Sequence, residues 1–267
     1  MTSYTGIDHL SVSLDGNVLS VTFNRPESLN SLTAAMVETL CDVLDRAAGD
    51  PAVKVVRLGG AGRGFCAGAG ISAEDQAAAR GSGGAIDPLL EAVNRAVPMI
   101  AGLPKPVVAV VHGPAAGVGV SLALACDIVL ASETAFFLLA FTRIGLMPDG
   151  GASALVAASV GRARAMKMAL LADRLPATEA FACGLVSSVH PAGELEAEAT
   201  AVIERLAAGP AAALRKTKHA VNAATLTELD GALLRETEGQ LMLLHTRDFV
   251  EGTRAFQERR AAVFTDE

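Results

Sequence analysis

Two glycine-rich turns, each placed directly after a short apolar strand, constrain this chain more than any other feature. The first is Gly62-Arg63-Gly64-Phe65-Cys66-Ala67-Gly68-Ala69-Gly70, following an apolar segment at 53–58. The second is His112-Gly113-Pro114-Ala115-Ala116-Gly117-Val118-Gly119-Val120, following the β-branched run Val107–Val111. An unbroken apolar run of this length fits a strand buried on both faces of a parallel sheet, whose crossovers are helices. The surrounding pattern agrees. Residues 32–48 carry Leu32, Met36, Leu40, Val43, Leu44 and Ala47 at helical spacing. The pattern predicts further helices over 89–103, with a kink at Pro98, and over 117–125, with a strand at 128–131. Strand and helix alternate, so the fold class is α/β.

Other elements follow from local chemistry. Segments 9–14 and 18–23 flank Asp15-Gly16 and predict a hairpin, which Pro26 terminates because proline cannot donate to a ladder. Gly59-Gly60-Ala61-Gly62 reads as a flexible turn. Ser72 and Asp75 have capping-box spacing and predict a helix start, and residues 81–84 predict a mobile loop. Beyond about Thr178 the pattern is mostly helical, over 195–207, 211–223, 226–245 and 248–264. The architecture is therefore a βα core with a C-terminal helical region packed on it.

The chain has 267 residues, 51% of them hydrophobic and 19% charged, with mean hydropathy +0.39. No apolar run reaches the roughly 18 to 20 residues needed to span a bilayer. The longest candidate, 107–125, is broken by His112, Gly113, Pro114, Gly117 and Gly119. Subunit contacts account for the apolar surplus better than lipid does. Trp is absent, Tyr is single and the net charge is −7. That argues against stacking platforms or a phosphate-binding surface for nucleic acid, while a local basic pocket for a small anion is still compatible. The four cysteines have no C-x-x-C spacing and no neighbouring histidine at ligand spacing, so they are expected reduced and metal-free. The N-terminus lacks a basic segment followed by an apolar one, which leaves a cytoplasmic enzyme as the expectation.

Small residues in the first turn let a ligand approach the backbone, and successive N–H groups there point at an anion. Alone, it is equally a plain glycine-rich turn. Its loose G-x-G-x-x-A form lacks the later acidic residue of a dinucleotide site. In the second turn a helix start presents unpaired N–H groups and a positive dipole end. Two such turns could converge on one carbonyl oxygen. A third segment, Phe136 to Gly151, places the lone carboxylate Asp149 after an apolar run. Asp149 reads either as an N-cap for a helix beginning near Gly150, or as a proton shuttle whose pKa is raised by apolar neighbours.

With Phe23-Asn24-Arg25-Pro26-Glu27-Ser28-Leu29-Asn30-Ser31-Leu32, these segments make the chain resemble the enoyl-CoA hydratase/isomerase (crotonase) superfamily over residues 8–264. The resemblance implies a ββα spiral core over 1–207 and a C-terminal helical trimerisation region over 208–267, assembled as a homotrimer or dimer of trimers. It implies an acyl-CoA substrate, with no cofactor beyond the coenzyme A of the thioester itself. Arg25, Pro26 and Ser28 would lie near the CoA nucleotide. Ala67, Gly68, Ala69, Ile71 and Gly117 would line the thioester path, and Phe141, with Phe137 and Leu138, the acyl pocket. Packing in the core is the plainer role for at least one of those three. The resemblance places the oxyanion hole on the N–H groups of Ala69 and Val118. Phe256 to Arg260 is similar to a stretch that reaches the CoA of a neighbouring subunit, with Arg259 as the candidate there.

The departures bear on the reaction. Hydratases of the family use two glutamates, and Ser121 and Phe141 stand at those positions. Gly70 stands where an aspartate is common, and Val118 where glycine is usual. Asp149 coincides with the acid–base or nucleophilic carboxylate of other branches, and residues 140–151 look most like the ring 1,2-epoxyphenylacetyl-CoA isomerase branch. The implied chemistry is double-bond or ring isomerisation through an enolate, with Asp149 carrying the proton. Hydration, attack by Asp149 as a nucleophile, and a non-catalytic acyl-CoA- or RNA-binding scaffold are the alternatives. For RNA the chain offers only Arg215, Lys216, Lys218 and His219, which read more simply as a solvated helix face. His112 reads as structural and Cys66 as packing beneath its turn.

Overall fold

Alternation at the N-terminus folds into an antiparallel hairpin, Leu10–Asp15 (β1) with Val18–Phe23 (β2), joined by Gly16-Asn17, one residue later than the expected Asp15-Gly16 turn. In the computed structural model, which describes residues 4–71 and 87–265, β2 pairs in parallel with Val55–Gly60 (β3). Val107–Val111 (β4) follows on β3, then Ile128–Ser132 (β6), and Ser188–His190 (β9) closes the edge. A second, three-stranded sheet joins Ala115–Ala116 (β5), Phe136–Leu138 (β7) and Leu175–Pro176 (β8).

The helices lie in chain order as Ala34–Gly49 (α1), Pro88–Gly102 (α2), Val118–Ala125 (α3), Ala152–Leu171 (α4), Ala177–Ala182 (α5) and Leu195–Ala207 (α6). Ala211–Thr225 (α7), Leu229–Leu243 (α8) and Arg247–Gln257 (α9) complete the set. β4–β5–α3 and β6–β7–α4 repeat one step, a long strand, a short strand and a helix. The apolar stripe of α1, from Met36 to Ala47, is buried in the main core, and β4 is buried at all five positions. That continuous burial has a simple cause. α6 covers one face of β3, β4 and β6 with Leu195, Ala199 and Ile203, while the main core covers the other.

Several expectations are corrected. Gly59 and Gly60 extend β3, opposite Thr22 and Phe23, rather than forming a turn. A Cβ on Gly60 would lie 2.3 Å from the Phe65 carbonyl oxygen, so the glycine serves the close return of the next loop. α1 starts after Leu32 because Thr33 caps it, accepting from the Met36 N–H at 3.3 Å. α9 stops at Gln257, seven residues short of the expected end at Phe264, and Arg259 follows it with a left-handed φ of +55°. β9 interrupts the region expected to be helical. Lys218 is not solvated: its ammonium pairs with Asp127 at 2.9 Å and donates to the Ile100 and Lys105 carbonyls, tying α7 to the core. The Ser72–Asp75 capping box and the 81–84 loop lie outside the described residues.

Candidate active site

The two glycine turns meet backbone to backbone. Cys66 and Ala115 form a parallel bridge, the Ala116 N–H donates to the Cys66 carbonyl at 2.9 Å, and the Phe65 and Cys66 N–H groups both reach the Pro114 carbonyl. A Cβ on Gly68 would lie 2.8 Å from the Ala116 carbonyl oxygen, and one on Gly119 only 2.4 Å from that of Cys66. Glycine at these points lets the segments touch. Gly117 adds φ +53° and ψ −131°, open in practice to glycine alone, which turns the chain into α3. Its own N–H donates to the Leu138 carbonyl, leaving Val118 as the first residue of the helix. Neither the Ala69 N–H nor the Val118 N–H meets an acceptor among the described residues. Two free main-chain donors thus stand on adjoining segments, one at the positive end of a helix.

Asn30 builds the other side of the first turn, and the sequence reading missed it. Its side chain is fully buried; Nδ2 donates to the carbonyls of Ala61 at 2.9 Å and Gly64 at 2.7 Å, while Oδ1 accepts from the Arg25 N–H. Left-handed φ values at Leu29 and Asn30 fold the Arg25–Ser31 segment around that amide. Arg25 donates to Ser31 Oγ, Ser28 Oγ to the Arg25 carbonyl, and Pro26 packs against Gly62. Arg25, Pro26 and Ser28 therefore form one block against the 61–65 loop. Asn30→Ala strips buried carbonyls of their donor, each worth about 1 to 3 kcal/mol. The expected result is a loss of about 3 kcal/mol in urea unfolding, with the slope of the transition unchanged.

Asp149, in the loop that precedes α4, packs beside α3. The Ser121 hydroxyl, one helical turn beyond Val118, donates to the Asp149 carbonyl at 3.0 Å. The expected N-capping role is corrected: the N-cap of α4 is Gly151, which has no side chain to cap with. Glu236 takes that duty instead, accepting the Gly151 N–H at 2.6 Å and the Ser153 N–H at 2.8 Å. The Asp149 carboxyl faces Gln240, whose Nε2 donates to Oδ2 at 2.6 Å. Asp149 Oδ1 is buried and has no partner among the described residues. Burial pushes this carboxyl up to about 7; the Gln240 hydrogen bond opposes the rise, and the charges of Glu236 and Asp87 add to it. Such a group changes protonation near neutrality, as a proton carrier must.

Phe141 is buried on a 3-10 turn, Phe141–Ile144, its ring edge 3.8 Å from where a Gly117 Cβ would stand. Phe137 lies in the core and Leu138 beside the turn. Ala67 and Gly70 are held by the carbonyls of Leu29 and Leu32, and the Ile71 carbonyl accepts from Gln257 at 2.9 Å. α9 thus folds back on the chain's own first turn. Arg259 stands exposed beyond that contact. His112 Nε2 lies 3.0 Å from the Gly62 carbonyl oxygen, a structural tie. Burial pushes the Cys66 thiol up to about 12, which leaves it a poor nucleophile. Among the described residues, no three His, Cys, Asp or Glu side chains group as a metal site.

The chain is similar to known proteins over nearly its whole length. The sequence profile described as Enoyl-CoA hydratase/isomerase matches residues 14–267. The chain is 40% identical over 250 residues to a probable enoyl-CoA hydratase of Rhodobacter capsulatus, covering 92% of this chain and 93% of that protein. It is 36% identical over 255 residues to the 1,2-epoxyphenylacetyl-CoA isomerase of Escherichia coli, covering 94% and 96%. The crystal structure of an enoyl-CoA hydratase from Mycobacterium avium subsp. paratuberculosis K-10 superposes with a TM-score of 0.90 at 62% identity, covering 97% and 99%.

Proposed function

The chain belongs to the enoyl-CoA hydratase/isomerase family of acyl-CoA enzymes, and we propose that within it the protein isomerises a double bond or ring through a thioester enolate. The observation that carries this reading is Asp149: a buried carboxyl with one oxygen held and the other without a partner among the described residues, near half-protonation at neutral pH. In this reading the thioester oxygen sits on the Ala69 and Val118 N–H groups, each worth roughly 3 to 4 kcal/mol at the transition state. Asp149 takes a proton from the carbon next to the thioester, and the electron pair moves onto the thioester oxygen. Asp149, whose carboxyl exchanges its proton with water between the two steps, then protonates a carbon further along, so the double bond moves and nothing is added. Coenzyme A enters as part of the substrate, its nucleotide end beside Arg25, Pro26 and Ser28. A trimer or dimer of trimers belongs to the same reading, and the exposed Leu170, Leu171, Leu234 and Met242 supply apolar surface for it.

Hydration is the second reading, favoured by the hydratase names of two of the relatives described above. Against it, Ser121 and Phe141 offer no carboxylate at the positions where hydratases activate water. The experiment follows a 3-enoyl-CoA and a 2-enoyl-CoA in D2O. Isomerisation with deuterium entering the acyl chain, and little 3-hydroxyacyl-CoA, is expected. Faster hydration than isomerisation would overturn the assignment.

A further inference from the structure

Isomerisation by a single carboxyl demands that the carboxyl present one defined oxygen, and the C-terminal helix α8 contains the residue that imposes this. Gln240 is 2% exposed and its side-chain amide is used at both ends. Nε2 donates to Asp149 Oδ2 at 2.6 Å, while Oε1 accepts from the Met147 N–H at 3.3 Å. The amide therefore spans residues 147–149 and grips the backbone and the carboxyl together. One helical turn earlier on the same face, Glu236 holds the Gly151 and Ser153 N–H groups. The two side chains bracket Asp149 on both sides. Gly239, between them, admits Met147, whose sulfur occupies the space a Cβ would need.

We propose that Gln240 is the positioning residue of the site, fixing the Asp149 carboxyl through Oδ2 so that Oδ1 alone is presented for proton transfer. Gln240 acts through Asp149 and not on the substrate, so the inference rests on the role of Asp149 proposed above. Its consequence concerns charge as well as orientation. A hydrogen bond donated to a carboxylate favours the ionised, proton-accepting form. Among the described residues, the charged groups facing Asp149 are Glu236 on α8 and Asp87 at the N-cap of α2, and both oppose that form. Burial opposes it most of all. Among the described residues, Gln240 is thus the side chain whose hydrogen bond keeps Asp149 usable as a base near neutrality.

The test uses the full-length enzyme and a 3-enoyl-CoA. Gln240→Met keeps the side-chain length but removes the donor. The acidic limb of the kcat/KM profile should move up by about one pH unit, since hydrogen bonds to charged groups are worth about 1.5 to 3 kcal/mol. At pH 7 kcat should fall tenfold or more while KM changes little. Gln240→Glu keeps the length and an oxygen for the Met147 N–H, and is expected to shift the limb upward too, because two carboxyls then compete for one proton. Thr237→Val, which disturbs α8 at its Asn94 contact away from Asp149, should leave the limb where it is. An unshifted limb in both Gln240 variants overturns the positioning role. So does an equal shift in Thr237→Val, which would make the effect a general loosening of α8. Asp149→Asn is run beside them: if it keeps full activity, the reading of Asp149 itself fails, whatever the Gln240 variants do.

Discussion

Asp149→Asn should lower isomerase kcat by about three orders of magnitude and, at pH 8, make the protein more stable. The two effects have one cause. A general acid–base group contributes roughly 10²- to 10⁴-fold, and an amide cannot accept the proton, so the activity loss follows directly. For stability, the sign follows from which state holds the proton. The folded-state carboxyl titrates at about 7 and its ordinary value is 3.8, so between those values the folded protein keeps a proton that the unfolded chain has lost. Folding stability therefore falls as pH rises through that window, and by pH 8 the full penalty is present. A displacement of that size corresponds to about 4 kcal/mol, from which the asparagine's own unpaired N–H takes back about 1 to 2 kcal/mol. The expected gain is about 2 kcal/mol at pH 8, turning into a loss of about 1 kcal/mol near pH 4, where the ionisation penalty is nearly gone and the asparagine's unpaired N–H still costs, read by urea unfolding at the two pH values. A variant that loses activity but is equally destabilised at both would show that Asp149 is an ordinary structural group.

That pairing of weakened stability with chemistry also marks where sequence reasoning reached its limit. Local periodicity and turn chemistry located β1, β2, β4, α3 and α6, because each is dictated by its own residues. The glycine turns were legible because the sequence around them is small on both sides of the contact, as Gly68, Gly113, Gly117 and Gly119 require. β5, β7 and β8 were not foreseen, since strands of two or three residues carry no period and exist only through their pairing. Asp149 was singled out, yet its partner lies 91 residues away on α8. A signal for Gln240 did exist. Leu229, Ala232, Leu233, Glu236 and Gln240 form one buried stripe, so two polar residues stand where apolar ones belong. A buried polar side chain must have a partner. Exposed Leu234 and Met242 blur the opposite face, which hid the stripe. Asn30 was hidden for another reason: in an Asn-rich turn, sequence alone does not separate a buried hub from a solvated turn residue.

Gly119→Ala should cost more than a single methyl group suggests. Gly119 lies in the first turn of α3 with an ordinary backbone angle, so strain in φ plays no part and only space is at issue. The new Cβ would stand 2.4 Å from the Cys66 carbonyl oxygen and 2.9 Å from the Cys66 Cβ. Both neighbours are pinned. The Cys66 carbonyl accepts the Ala116 N–H, and its N–H is bound to Pro114, so the methyl is accommodated only by parting α3 from the 66–69 segment. Overpacking of this kind costs about 1 to 3 kcal/mol in stability. The functional loss is larger, because Ala69 and Val118 lie on the two surfaces being parted. In the proposed reading their N–H groups hold an enolate oxygen only while both point at one position, and a misplacement of about 1 Å costs roughly 10²-fold. The expected result is a fall in kcat/KM of about 10² or more in a protein that still folds, with Gly193→Ala, where a Cβ meets nothing within 4 Å, unchanged. Should Gly119→Ala keep kcat/KM within about threefold, the junction of the two turns is not where the substrate's charge is held, and the paired donors lose their assigned role.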